Sequence, residues 1–160
     1  MQIYILRHGI AEDQKPGSSD ADRALTKEGR EKLEAVLKCA AESGVSPSTI
    51  LASPYLRATQ TAEIAAKVLQ HVSTPIRTDA LIPNGSPRAV WDEIRGYRGA
   101  DQVLLAGHEP LLSQVVSYLL GAPSLQVDMK KAALVRIDLD GFRGEPRGIL
   151  KWMLIPKLVE

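Results

Sequence analysis

The sequence predicts an α/β fold: a three-layer sandwich whose mostly parallel sheet carries helices on both faces and ends in an antiparallel C-terminal hairpin. Three observations predict it. Short β-rich runs alternate with segments of helical apolar spacing, the pattern of a parallel sheet with crossover helices. The run Val103 to Ala106 is apolar throughout, as in a strand covered on both faces. The tail breaks the alternation. Ala133 to Leu139 and Ile149 to Ile155 flank a turn rich in Gly141, Gly144, Pro146 and Gly148, which reads as a hairpin.

Each element follows in order. Ile3 to Leu6 is a strand beginning almost at the first residue. Ile10 to Ala24 is polar, with Pro16, Gly17, Ser18 and Ser19, and reads as one long surface loop of the functional kind. Thr26 caps a helix that runs to about Ser43 and stops at Gly44. Ile50 to Ala52 is a second strand. Ser53-Pro54 then offers an N-cap followed by proline at the first helical position. Ala62, Ile64, Ala65 and Val68 continue that helix on an apolar face. Pro87 to Ile94 is a shorter helix. After the strand ending at Ala106, Pro110 opens another helix through Leu112, Val115, Val116 and Leu119. No repeat or linker divides the 160 residues, so they are expected to form a single domain.

Composition excludes several functions. With 20 basic and 19 acidic residues the net charge is +1, which leaves no electrostatic footprint for nucleic acid or a membrane surface. The lysine pair Lys130-Lys131 reads as a solvated turn. One cysteine, Cys39, permits no intrachain disulfide and no cysteine-based metal site. The N-terminus has no signal-peptide pattern and no run is long enough to span a bilayer, so a cytoplasmic location is expected.

Chemistry concentrates after three strands. Arg7, His8 and Gly9 follow the first, Ser53 to Arg57 the second, and Gly107, His108 and Glu109 the strand ending at Ala106. In open α/β sheets ligands bind beyond the carboxyl ends of the strands, so these clusters are expected to meet. Two arginines and two histidines suit a phosphoryl group. Guanidinium forks match its oxygens, helix N-termini add N–H donors, and one histidine can attack while the other stabilises charge. Gly9 lets backbone approach the ligand. Singly each cluster has a bland explanation: Ser53 as a helix cap, His108 as a strand-end histidine bonded to backbone. Their convergence is the signal.

These residues resemble the histidine phosphatase superfamily, also called the phosphoglycerate mutase-like family. The resemblance rests on Arg7-His8-Gly9, Leu25-Thr26-x-x-Gly29, Ser53-Pro54-x-x-Arg57-Ala58-x-Gln60-Thr61-Ala62 and Gly107-His108. Within it, the short chain resembles the SixA-type protein phosphohistidine phosphatases, having little room for segments that close over a small substrate. The resemblance implies a phosphatase in which His8 is the nucleophile and becomes phosphorylated. It further implies that Arg7, Gly9, Arg57 and His108 bind phosphate, with His108 cationic beside the phosphate charges. It implies no metal and no cofactor, and a partner bearing phosphohistidine, such as a histidine-containing phosphotransfer domain. The leaving-group acid stays open. The stretch Asp79 to Gly85 lacks the glutamate of mutase-like members, leaving Glu109 and Asp20. Glu109 could equally be a carboxylate drawn to a helix N-terminus, and Asp20 an ordinary loop residue. Two other functions share these residues: a small-molecule phosphomonoesterase, and a weakly catalytic phosphoprotein-binding module.

Overall fold

A computed structural model describes residues 1–160. Six strands, β1 (Gln2–Arg7), β2 (Thr49–Ala52), β3 (Ile76–Arg77), β4 (Gln102–Gly107), β5 (Leu134–Asp138) and β6 (Ile149–Leu154), form one sheet in the order β3-β2-β4-β1-β5-β6. The first four run parallel to one another; β5 is antiparallel to β1 and to β6. The expected fold class is therefore the observed one, with the hairpin extending the sheet at one edge.

Four helices cover the sheet: α1 (Lys27–Glu42), α2 (Leu56–Val68), α3 (Pro87–Arg95) and α4 (Leu111–Leu119). Strand alternation divides the core between the two faces. Ile3 and Ile5 of β1, with Val103 and Leu105 of β4, pack against α3 and α4. Tyr4, Leu6, Leu104 and Ala106 pack against Leu33, Val36 and Leu37 of α1 and Ala62 and Ala65 of α2. Because both faces are covered, the strand interiors, residues 3–6 and 103–106, are buried at every position rather than at every second one. Truncating a fully buried leucine such as Leu37 to alanine would cost about 2–5 kcal/mol. No helix is long and apolar enough to cross a membrane.

Local signals set most boundaries. Thr26 Oγ1 accepts from the Gly29 amide at 2.9 Å, and Gly44 takes φ +85° just past α1. Ser86 Oγ caps α3, whose first residue is Pro87. Ser53 departs from expectation. α2 begins at Leu56 with Tyr55 as its cap, and the Ser53 hydroxyl instead accepts from the Tyr55 amide and meets His108. β3 has no sequence signal, since two exposed residues are too few for a period.

Candidate active site

Sheet register builds the floor of the site. β1, β4 and β2 are adjacent and parallel, so their carboxyl ends emerge side by side. Arg7 pairs with Gly107 and Ala52 with Ala106. One residue on, the His8 amide donates to Gly107 O and the Ser53 amide to Ala106 O, both at 3.0 Å. His8 and His108 therefore leave the sheet as neighbours, their ring centroids 5.1 Å apart. Arg57 joins from the first turn of α2, with its guanidinium 5.3 Å from the Tyr55 ring centroid. The same Tyr55 ring meets His108 edge-on at 5.2 Å.

The side chains are buried and pinned. His8 is 7% exposed, Arg57 5% and His108 1%. His8 Nδ1 lies 2.7 Å from Gly9 O. A carbonyl only accepts, so Nδ1 carries the proton and Nε2 keeps its lone pair. Arg7 Nη1 donates to Met129 O at 2.7 Å, and His108 Nε2 lies 2.8 Å from Ser53 Oγ. Three buried nitrogens of this cluster, Arg7 Nε, Arg57 Nε and His108 Nδ1, have no hydrogen-bond partner in the protein. Leaving such a group unpaired costs about 1–3 kcal/mol. A multi-oxygen anion is the partner that would remove this cost for several donors together.

Burial lowers the His8 pKa to about 4, and the Arg57, Arg7 and Lys131 charges push the same way. Burial, then His8, Arg57 and Arg7, lower His108 to about 3. Both rings are thus neutral near pH 7 in the free protein. In the free protein, desolvation and neighbouring cations outweigh any pull toward the charged form; the expected cationic His108 belongs to the state with phosphate bound.

Backbone packing holds the turn after β1. Thr61 Oγ1 donates to Arg57 O at 2.7 Å and accepts from the Gly9 amide at 3.3 Å. A side chain on Gly29 would put Cβ 2.2 Å from Ile10 O, so only glycine lets α1 pass beneath this turn. Gln60 Oε1 accepts from the Leu25 amide at 2.8 Å, tying the segment before α1 to α2.

The two expected acid candidates lie differently. Asp20 reaches the site: its carboxylate Oδ2 accepts from Arg57 Nη2 at 3.0 Å and its backbone O from Arg57 Nη1 at 2.8 Å. Arg23 and Arg57 hold the Asp20 carboxyl below the usual carboxylate range, so at neutral pH it is an ion with no proton to give. Glu109 Oε1 accepts from the Ser113 amide at 2.7 Å, the cap-like arrangement its place beside α4 allows. Tyr55, Ser53, Gln60 and Thr61 position the site although the sequence reading gave them no role there. All four fall within the nine residues Ser53 to Thr61, and no periodicity reveals how their side chains turn.

A family model described as histidine phosphatase superfamily (branch 1) matches residues 3–82, half of the chain. An uncharacterised protein of Picosynechococcus is 34% identical over 140 residues, spanning 84% of this chain and 83% of that one. The chain belongs to the histidine phosphatase superfamily. As a member it is a phosphatase, a hydrolase of phosphoryl groups. Phosphohistidine phosphatase SixA of Escherichia coli is 28% identical over 159 residues, covering 98% of this chain and 94% of its own. The solved structure of the protein histidine phosphatase SixA complexed with tungstate superposes with a TM-score of 0.89 at 28% identity, covering both chains completely. The chain is thus similar over its whole length to SixA.

Proposed function

We propose that the protein hydrolyses phosphohistidine on a partner protein through a covalent phosphohistidine on His8. The observation that carries the reading is the set of two buried histidines and two arginines at three adjacent strand ends, with the His8 tautomer fixed by Gly9 O. Similarity to SixA, whose structure holds a tungstate oxyanion, supports it.

The steps follow from these groups. Neutral His8 directs Nε2 at phosphorus in line with the leaving nitrogen. Arg7 and Arg57 take the equatorial oxygens, and their fixed charges match those that gather there in the transition state. His108 Nδ1 hydrogen-bonds the phosphoryl oxygens, and the dianion raises its proton affinity. As the P–N bond of the substrate breaks, the departing imidazole takes a proton from solvent. Water then attacks phospho-His8, releasing inorganic phosphate and restoring the neutral ring. Glu109 turns one carboxyl oxygen to the Ser113 amide, and Asp20, held ionised by Arg23 and Arg57, offers no ready proton. A P–N bond tolerates that better than a phosphate ester, whose alkoxide gains about 10²–10⁴-fold from a positioned acid. The partner and the enzyme would meet in the cytoplasm.

The test is phosphate release from a histidine-phosphorylated phosphotransfer domain and from p-nitrophenyl phosphate, with wild type and His8→Ala. Faster release from the protein, lost in His8→Ala, is expected. Preference for the ester would assign a phosphomonoesterase, and binding without His8-dependent release a phosphoprotein-binding module.

A further inference from the structure

The Lys130-Lys131 turn belongs to the site's rim. The Ala132 amide donates to His8 O at 3.1 Å, and Arg7 Nη1 grips Met129 O, so residues 129–132 are fastened to the Arg7-His8 pair at both ends. From Arg7 a groove of about 710 Å³ runs outward between this turn, α1 and the C-terminal segment. Arg7, Lys32, Lys130, Lys131 and Lys157 line it, against a single acidic residue, Glu160. The chain as a whole is balanced, with 20 basic and 19 acidic residues, so this concentration of one sign is local. Lys32 is paired with Glu28 at 3.1 Å and Glu160 at 3.7 Å, and Lys130 with Asp128 at 2.7 Å. Lys131 and Lys157 are exposed and make no ion pair.

Resting on the proposed function, we infer that this groove docks an acidic face of the phosphohistidine-bearing protein, next to the residue it presents to His8. Continuity with Arg7 argues for a partner that enters both at once. The apolar lining is small (Ile10, Ala132, Ile155 and Pro156) and includes no aromatic side chain for base stacking, which favours an acidic protein surface over nucleic acid. Complementary charge at such a rim acts mainly on encounter, so its signature is in kcat/KM and in salt dependence.

Two synthetic phosphohistidine peptides test this, one flanked by Asp and Glu, the other by Lys and Arg. With wild type at low salt, kcat/KM for the acidic peptide should exceed that for the basic one about 10-fold, and 0.5 M NaCl should collapse the difference. The double variant Lys131→Glu/Lys157→Glu should reverse the preference, its loss on the acidic peptide exceeding its loss on p-nitrophenyl phosphate at least fivefold. Equal kcat/KM for the two peptides, or a double variant that slows both substrates alike, overturns the groove. If neither peptide is hydrolysed, the proposed function fails while the groove is still read: His8→Ala should bind the acidic peptide more tightly than the basic one, and equal Kd values overturn it. Binding to phosphatidylserine vesicles that the double variant abolishes, without any peptide preference, would reassign the groove to a membrane surface.

Discussion

The floor and the rim of the site are built by different means. The floor is three strand ends, where sheet register alone sets His8 beside His108 and Ser53 beside Gly107. The rim is loop: residues 10–24, which lay Asp20 on Arg57, and residues 129–132, which receive Arg7. Both arginines show the contrast. Arg7 is held by the backbone carbonyl of Met129, in a turn that also bonds His8 O, whereas one of Arg57's bonds goes to a half-exposed carboxylate. Fixed floors give chemistry its geometry, while loops can give way as a partner arrives.

Substitutions in the floor should be the most damaging. His8→Ala should abolish turnover with the fold intact, measured by phosphate release and by circular dichroism; residual phosphoenzyme would exclude His8 as the sole nucleophile. Arg57→Ala should cost about 3–4 kcal/mol of transition-state stabilisation, a 10²–10³-fold drop in kcat/KM. Arg57→Lys should recover little of it, because a fork becomes a point charge. Gly29→Ala lies beneath the floor. Alanine usually favours a helix, yet here overpacking against Ile10 O should cost about 1–3 kcal/mol, visible in urea denaturation.

Acid should act on the floor before the rim. His8 and His108 have folded pKa values of about 4 and about 3, below the unfolded value near 6.5. Between these limits the unfolded chain binds more protons, so stability is complete above about pH 6.5 and falls as pH drops toward 4. A His8→Asn/His108→Asn variant should flatten that slope in urea midpoints measured from pH 7 to 4.5; an unchanged slope would place the acid sensitivity elsewhere.

The smallest effect belongs to the rim. Asp20→Asn removes a negative charge from Arg57 and should tighten inhibition by inorganic phosphate a few-fold. Weaker inhibition would mean that the carboxylate orients Arg57 rather than competing for it.

The same division explains what was legible in the sequence. Strands and helices with caps, such as Thr26 before α1, follow local rules, and the parallel topology then brings Arg7, His8, Arg57 and His108 to one end. Asp20 on Arg57 spans 37 residues and His108 on Ser53 spans 55, and no periodicity encodes such meetings. The neutral state of His108 was illegible for a similar reason, since it depends on burial by residues far along the chain. The Lys130-Lys131 pair was visible as charge but not as rim, because its position depends on bonds to β1 made across more than 120 residues.

The bond between His8 Nδ1 and Gly9 O joins a residue to its own successor. On the role proposed for His8, the proton arrangement that readies the imidazole is therefore set by an acceptor one residue away. Grafted onto the end of another parallel strand, with a glycine-shaped gap beneath, the same two residues should carry a ring already set to attack. Everything else around it could then be redrawn for a different phosphorylated guest.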